Sequence, residues 1–301
     1  MDKQILSIED LLDSFEIHLQ AKGRSSKTIF SYRLAVNQLI EFLAEQGLPT
    51  DSDKIQKKHV EKFLAHFQET RASATVRQRY ASLKQFFKWA AAEEEIREDP
   101  MERITPPRVV EQPVPVLSLE EVRALLIACK QGDMFKARRD EAIIRLFLDT
   151  GLRLGELAGL KKDDVDLKLR VAHVLGKGSR FRSVPFNDVT NAALDRYRRQ
   201  RSRHPRADAD DFWLGPKGKL SSSGIAQMVA RRSADAGLPK IHPHQFRHTF
   251  AHQWLSRGGA EGDLQRIAGW SSPQMLQRYG ASVAEQRAQE AHRRLGLWEG
   301  L

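Results

Sequence analysis

Prolines constrain this chain more firmly than any other feature. Asp99-Pro100 is followed by Pro106-Pro107 and by Pro113-x-Pro115, a run through which a helix cannot continue and the backbone stays extended. On its N-terminal side, apolar residues recur every three or four positions, the spacing of amphipathic helices. Ile8, Leu11, Leu12, Phe15 and Leu19 follow Ser7-x-x-Asp10 and stop at Gly23. Ile29, Tyr32, Val36, Leu39, Ile40 and Leu43 run to Gly47 and Pro49. Val60, Phe63, Leu64 and Phe67 make a third stripe, and Val76, Tyr80, Leu83, Phe86 and Phe87, after Ser73, make a fourth. Such stripes are buried by packing on one another, which predicts a four-helix N-terminal domain over residues 1–105.

A stiff linker, 106–117, then leads to Ser118-x-x-Glu121, a capping box that opens a second domain over 118–301. Helices dominate there as well. The interruption is Val171 and Val174, then Gly176-Lys-Gly178, then alternating Phe181 and Val184, which reads as a β-hairpin with Lys177 at its tip. A short terminal helix is expected over 283–297. The fold class is therefore mainly α (α+β): a helical bundle and a mostly helical C-terminal domain with a small β-sheet.

Charge separates the same two halves. Residues 1–110 carry 17 Lys+Arg against 17 Asp+Glu, whereas the remainder carries 32 against 22 and so holds the whole net charge of +10. That excess attracts a polyanion and supports DNA binding through counterion release. Two basic clusters stand out, Arg196-Tyr-Arg-Arg-Gln-Arg-Ser-Arg203 and Arg231-Arg232. In the neutral half, Lys22, Arg24 and Lys27 with Arg77, Arg79, Lys84 and Lys88 are expected to form one basic face. Cys129 is the single cysteine, which offers neither a disulfide framework nor a thiolate zinc site. No apolar run approaches the ~20 residues of a membrane span, and the Met-Asp-Lys-Gln start lacks the pattern of a signal peptide. A soluble, cytoplasmic protein without a membrane partner is expected.

Four local strings in the second half carry chemistry. Arg153 lies in Asp149-Thr-Gly-Leu-Arg-Leu-Gly-Glu-Leu157, and His244 and Arg247 lie in His242-Pro-His-Gln-Phe-Arg-His248. Trp270 follows Ala268-Gly269, and Tyr279 comes nine residues later in Leu276-Gln-Arg-Tyr-Gly280. Their order, spacing and flanks resemble the tyrosine recombinases, the phage integrases and Xer-type enzymes, and the N-terminal third is similar to that family's core-binding domain. Lys177 joins the set through the same resemblance; from the hairpin alone it reads as a solvated turn lysine.

These residue types suit one reaction. In-line attack on a DNA phosphodiester builds negative charge on the non-bridging oxygens, and two guanidiniums, Arg153 and Arg247, present permanent charge in a planar fork. His244 can donate to the same phosphate or relay the nucleophile's proton. The indole N–H of Trp270 can only donate. Tyr279 supplies a phenol whose free pKa of about 10 falls beside cations, giving an attacking oxyanion. The leaving 5′ hydroxyl needs a proton, which Lys177 can provide as general acid. Glu156, three residues beyond Arg153, can orient that arginine or be an ordinary helix partner.

A rival comes from His244, His248 and His252, whose four-residue recurrence is compatible with a metal-dependent hydrolase. The glutamate that should follow the first histidine in a metalloprotease motif is replaced by Gln245. A catalytically silent DNA-binding regulator of the same fold is the other alternative. Leu220-Ser-Ser-Ser through Arg232 is either a recognition helix whose serines meet phosphate or an ordinary capped helix.

The resemblance implies more. It implies a 3′-phosphotyrosine intermediate formed without metal or other cofactor, a homo-tetramer on two double-stranded DNA duplexes, passage through a Holliday junction, and accessory DNA-binding factors for some members. It implies a two-domain form without an additional arm-type domain, with residues 283–301 docking on a neighbouring protomer. Trp270 stands where many members have histidine, and the tail after Tyr279 points toward a mobile-element integrase or resolvase.

Overall fold

The computed structural model describes residues 6–108, 115–176, 181–270, 276, 288–289 and 292–293. They fall into two compact units, 1–112 and 113–301.

The first unit contains α1 (Ile8–Ala21), α2 (Ser26–Glu45), α3 (Lys57–Thr70) and α4 (Ser73–Ala92). Its first helix starts where the polar residues demand. The Asp10 N–H donates to Ser7 Oγ at 3.1 Å and the Ser7 N–H donates to the Asp10 carboxylate at 3.1 Å, so two otherwise unpaired amides are satisfied. The expected stripes meet in one core around Leu39, Leu43, Val60, Phe63, Leu83 and Phe86. Tyr80 donates from its hydroxyl to the Ile104 carbonyl at 2.6 Å, which fastens the chain leaving α4 to the bundle.

The second unit runs α5 (Leu119–Ala128), α6 (Met134–Thr150), α7 (Leu154–Gly159), β1 (Val165–Asp166), β2 (Val171–Leu175), β3 (Phe181–Pro185), α8 (Asp188–Arg201), β4 (Leu214–Gly215), β5 (Gly218–Lys219), α9 (Ser222–Asp235), α10 (Pro243–Ser256) and α11 (Glu261–Ala268). Ser118 caps α5 through the expected box with Glu121. The buried α6 packs on α8 and α10, and Phe147 stacks on Phe246 at 5.4 Å. The strands predicted around Lys177 pair antiparallel, Val174 opposite Arg182 and Leu175 opposite Phe181; β1 adds a third strand and β4–β5 a second small sheet. The terminal helix expected over 283–297 lies largely outside the described residues.

Three arginines of the expected basic faces and clusters are buried. Arg232 is buried, with its guanidinium on Asp140 at 2.9 Å and on the Ala128 carbonyl at 3.1 Å. Arg201 is buried too and collects the carbonyls of Ala207, Ala209, Asp211 and Phe212. Arg79 is buried and donates to Gln38 at 2.6 Å. Each exchanges hydration for fixed acceptors, the condition for burying a cation. The basic faces are correspondingly smaller than the arginine runs suggest.

Candidate active site

Arg153 is placed by the junction of two helices. Gly151 ends α6 in the left-handed region, φ 59° and ψ 24°, and a side chain there would meet the Phe250 ring at 2.4 Å. Only glycine satisfies both conditions. Two residues on, Arg153 is the N-cap of α7. Its backbone N–H donates to Glu156 Oε2 at 2.9 Å and its Nη1 donates to Glu156 Oε1 at 2.9 Å. The side chain is 40% exposed, so this cation reaches the surface.

Arg247 projects from the middle of α10 and is buried. Its Nη1 donates to the Gly151 carbonyl and its Nη2 to the Ala268 carbonyl, both at 2.7 Å. The guanidinium also lies over the Trp270 ring, 5.2 Å from its centroid, a cation–π contact. Trp270 is buried in a small cluster with Phe250, Leu255 and Leu264, so its packing role is established.

α11 supplies the organising feature. It ends at Gly269, φ 63° and ψ 46°, leaving its last carbonyls without helical partners at the negative end of the helix dipole. Three successive carbonyls accept from three different arginines: Ile267 from Arg182 Nε at 2.9 Å, Ala268 from Arg247, and Gly269 from Arg153 Nη2 at 3.0 Å. Arg182, on β3, also grips Glu156 with both terminal nitrogens, at 3.0 and 2.8 Å. Glu156 thus sits between Arg153 and Arg182. Burial pushes its carboxyl up, but the hydrogen bonds and charge of Arg182, with those of Arg153, outweigh this and hold it below its ordinary value of 4.5.

Arg153, Arg247 and Trp270 are therefore brought together. His244 is exposed on the first turn of α10, three residues before Arg247, and its ring meets that of His248 edge-on at 4.7 Å. Lys177 and Tyr279 lie outside the described residues. The metal alternative loses its geometry: among the described residues, which include His244, His248 and His252, no group of three or more His, Cys, Asp or Glu side chains is placed to hold an ion.

Arg182 is the residue the motifs missed. Its signal was the alternation of β3, where Arg182 shares a face with buried Val184 while Phe181 and Ser183 are exposed. Tyr197, the other tyrosine of the second unit, is fully buried; its hydroxyl donates to the Phe212 carbonyl and accepts from the Leu214 N–H, each at 2.9 Å. Burial pushes this phenol up to about 12, which suits a structural strut and not a nucleophile.

Comparison with known proteins places this architecture. Residues 115–286 match the phage integrase family, and residues 12–94 match the phage integrase N-terminal SAM-like domain. The chain belongs to this family, the tyrosine recombinases, and is a DNA breaking and rejoining enzyme of site-specific recombination. Tyrosine recombinase XerC of Corynebacterium efficiens is 30% identical over 97% of this chain and 92% of its own length. Tyrosine recombinase XerD of Listeria innocua is 28% identical over 90% of this chain and 94% of its own. Among solved structures, the Tn1549 transposon integrase in complex with transposon right end DNA superposes with a TM-score of 0.76 at 21% identity, covering 97% of this chain and all of the other. Among the described residues, no helix is long and apolar enough to cross a membrane.

Proposed function

We propose that the arginine cluster at the end of α11 is the phosphate site of a strand-transfer reaction on double-stranded DNA, with Tyr279 as nucleophile. The observation that carries this reading is the convergence of Arg153, Arg182 and Arg247 on three consecutive carbonyls, with Arg153 and Arg182 also meeting on Glu156, immediately ahead of Trp270, which precedes Tyr279 by nine residues. Fixed donors of this kind stabilise the charge of a pentacoordinate phosphate without reorganising during the reaction.

In this reading the Arg153 guanidinium meets the non-bridging oxygens. Arg247 supplies a second positive charge in a poorly hydrated setting where its field is strong. His244 and the Trp270 N–H contribute further donors. Tyr279 attacks the phosphorus, forming a 3′-phosphotyrosine as the P–O5′ bond breaks, and Lys177 protonates the departing 5′ oxygen. The free 5′ hydroxyl of a partner strand then attacks the phosphotyrosine and releases Tyr279. The cations present can balance the charge, so the cycle needs no metal or other cofactor. Four protomers on two duplexes would complete the exchange, in the cytoplasm where such DNA lies.

Incubation with nicked suicide DNA in EDTA tests this reading. A covalent protein–DNA adduct is expected. Tight binding without adduct would favour the silent regulator, and cleavage that returns only with a divalent ion would favour the hydrolase.

A further inference from the structure

We infer that Arg182 is a positioning residue for strand cleavage, holding Arg153 in the orientation that meets the phosphate. The inference rests on the phosphate-binding role proposed above for Arg153.

The Arg153 guanidinium is anchored on Glu156 and on the Gly269 carbonyl, and Arg182 supports both. On one side, Arg182 occupies both oxygens of Glu156. The carboxylate is thereby shared, and Arg153 makes one side-chain bond to it instead of a closed two-bond pair. Without Arg182, the nearly buried Glu156 would turn fully onto Arg153. It would then neutralise the charge the phosphate needs, because a two-bond arginine–carboxylate pair is the stronger arrangement. On the other side, Arg182 Nε holds the Ile267 carbonyl, which fixes the end of α11 and hence the Gly269 carbonyl two residues later.

All three contacts use the planar fork. A lysine has a single point of charge and cannot span Glu156 and Ile267 with the same geometry. Gly269 fits this role: a side chain there would lie 2.9 Å from Arg182 Nη1, so the fork approaches where only glycine leaves room.

The test compares wild type, Arg182→Ala, Arg182→Lys and Arg153→Ala in single-turnover cleavage of suicide DNA, with binding measured separately. Each is given a normal scissile phosphate and a methylphosphonate, in which a neutral methyl replaces one charged oxygen. Wild-type adduct formation tests the recombinase reading itself, so its failure is distinguishable from failure of this inference. Arg182→Ala should bind DNA within about threefold of wild type but cleave the phosphate about 10²-fold more slowly, the cost of misplacing a group by about an ångström. On the methylphosphonate, both Arg182→Ala and Arg153→Ala should approach wild type to within about tenfold, since less charge needs stabilising. Arg182→Lys, which keeps the charge and most of the stem, should resemble Arg182→Ala; it carries the test if the alanine variant folds poorly. Wild-type cleavage by either variant, or a deficit equal on both substrates, would overturn the inference.

Discussion

The second unit contains two clusters built on the same plan, a carboxylate held between two arginines, and they have opposite fates. Around Asp140, which is fully buried, Arg139 and Arg232 are themselves nearly buried, with side chains 4% and 8% exposed. Arg139 also donates to the Leu214 carbonyl, and Arg232 to the carbonyls of Ala128 and Gln131 and to the Asp235 carboxylate. Around Glu156, Arg182 is mostly covered but Arg153 is 40% exposed, and the adjoining Arg247 adds a third cation over Trp270. The first cluster is closed on protein acceptors and ties α6 to α9. The second gathers positive charge at a helix end and presents part of it outward. Similar pairing chemistry thus serves folding where the set is sealed, and in the function proposed above it serves phosphate recognition where one member faces solvent.

Substitutions can break this contrast. Arg232→Ala removes one partner of a buried carboxylate and should destabilise the fold by about 3–5 kcal/mol, read as an early thermal melt. Arg153→Ala should instead slow cleavage by about 10²–10³ while melting close to wild type. If Arg153→Ala melts as early as Arg232→Ala, the two clusters are both structural and the contrast fails.

A smaller effect is expected at Gly269→Ala. The left-handed conformation costs a side chain about 1–2 kcal/mol, and the added methyl crowds Arg182. Cleavage should therefore fall by more than stability alone explains, whereas a variant with normal cleavage would detach Arg182 from the site.

The response to pH follows from Glu156, whose carboxyl is held below its ordinary 4.5. A depressed carboxyl contributes stability that is fully present above the unfolded value and is lost as pH falls through the folded one. Acid titration from pH 5 downward should thus remove a contribution that Glu156→Gln lacks; parallel wild-type and variant curves would contradict this. Least of all should Arg170→Ala matter, because its ion pair with Asp188 is exposed, at 49% and 82%. A melting change of more than about 0.5 kcal/mol equivalent would be unexpected there.

Local rules explain what could be read from the sequence. Ser7 with Asp10 and Ser118 with Glu121 announce helix starts because both halves of each box lie within one turn. Apolar stripes gave the bundle, and the glycine-centred hairpin placed β2 and β3. Arg153 and Arg247 were found through their strings and prove to share the end of α11. The misreadings are non-local. Arg201 lies in a basic helix yet is buried by carbonyls six to eleven residues later, and Arg232 is claimed by Asp140, 92 residues away. Arg182 joins Glu156, 26 residues back, to Ile267, 85 residues on. Arginines close long loops through their several donors, and spacing along the chain does not record where those donors end.

If this open cluster serves a covalent reaction at Tyr279, cleaved DNA must be found on that side chain. Mass spectrometry of the trapped wild-type adduct after proteolysis tests it most directly. A single DNA-bearing peptide containing Tyr279 is expected, with no adduct from Tyr279→Phe, which should retain DNA binding. DNA attached elsewhere, or an undiminished adduct from Tyr279→Phe, would contradict it.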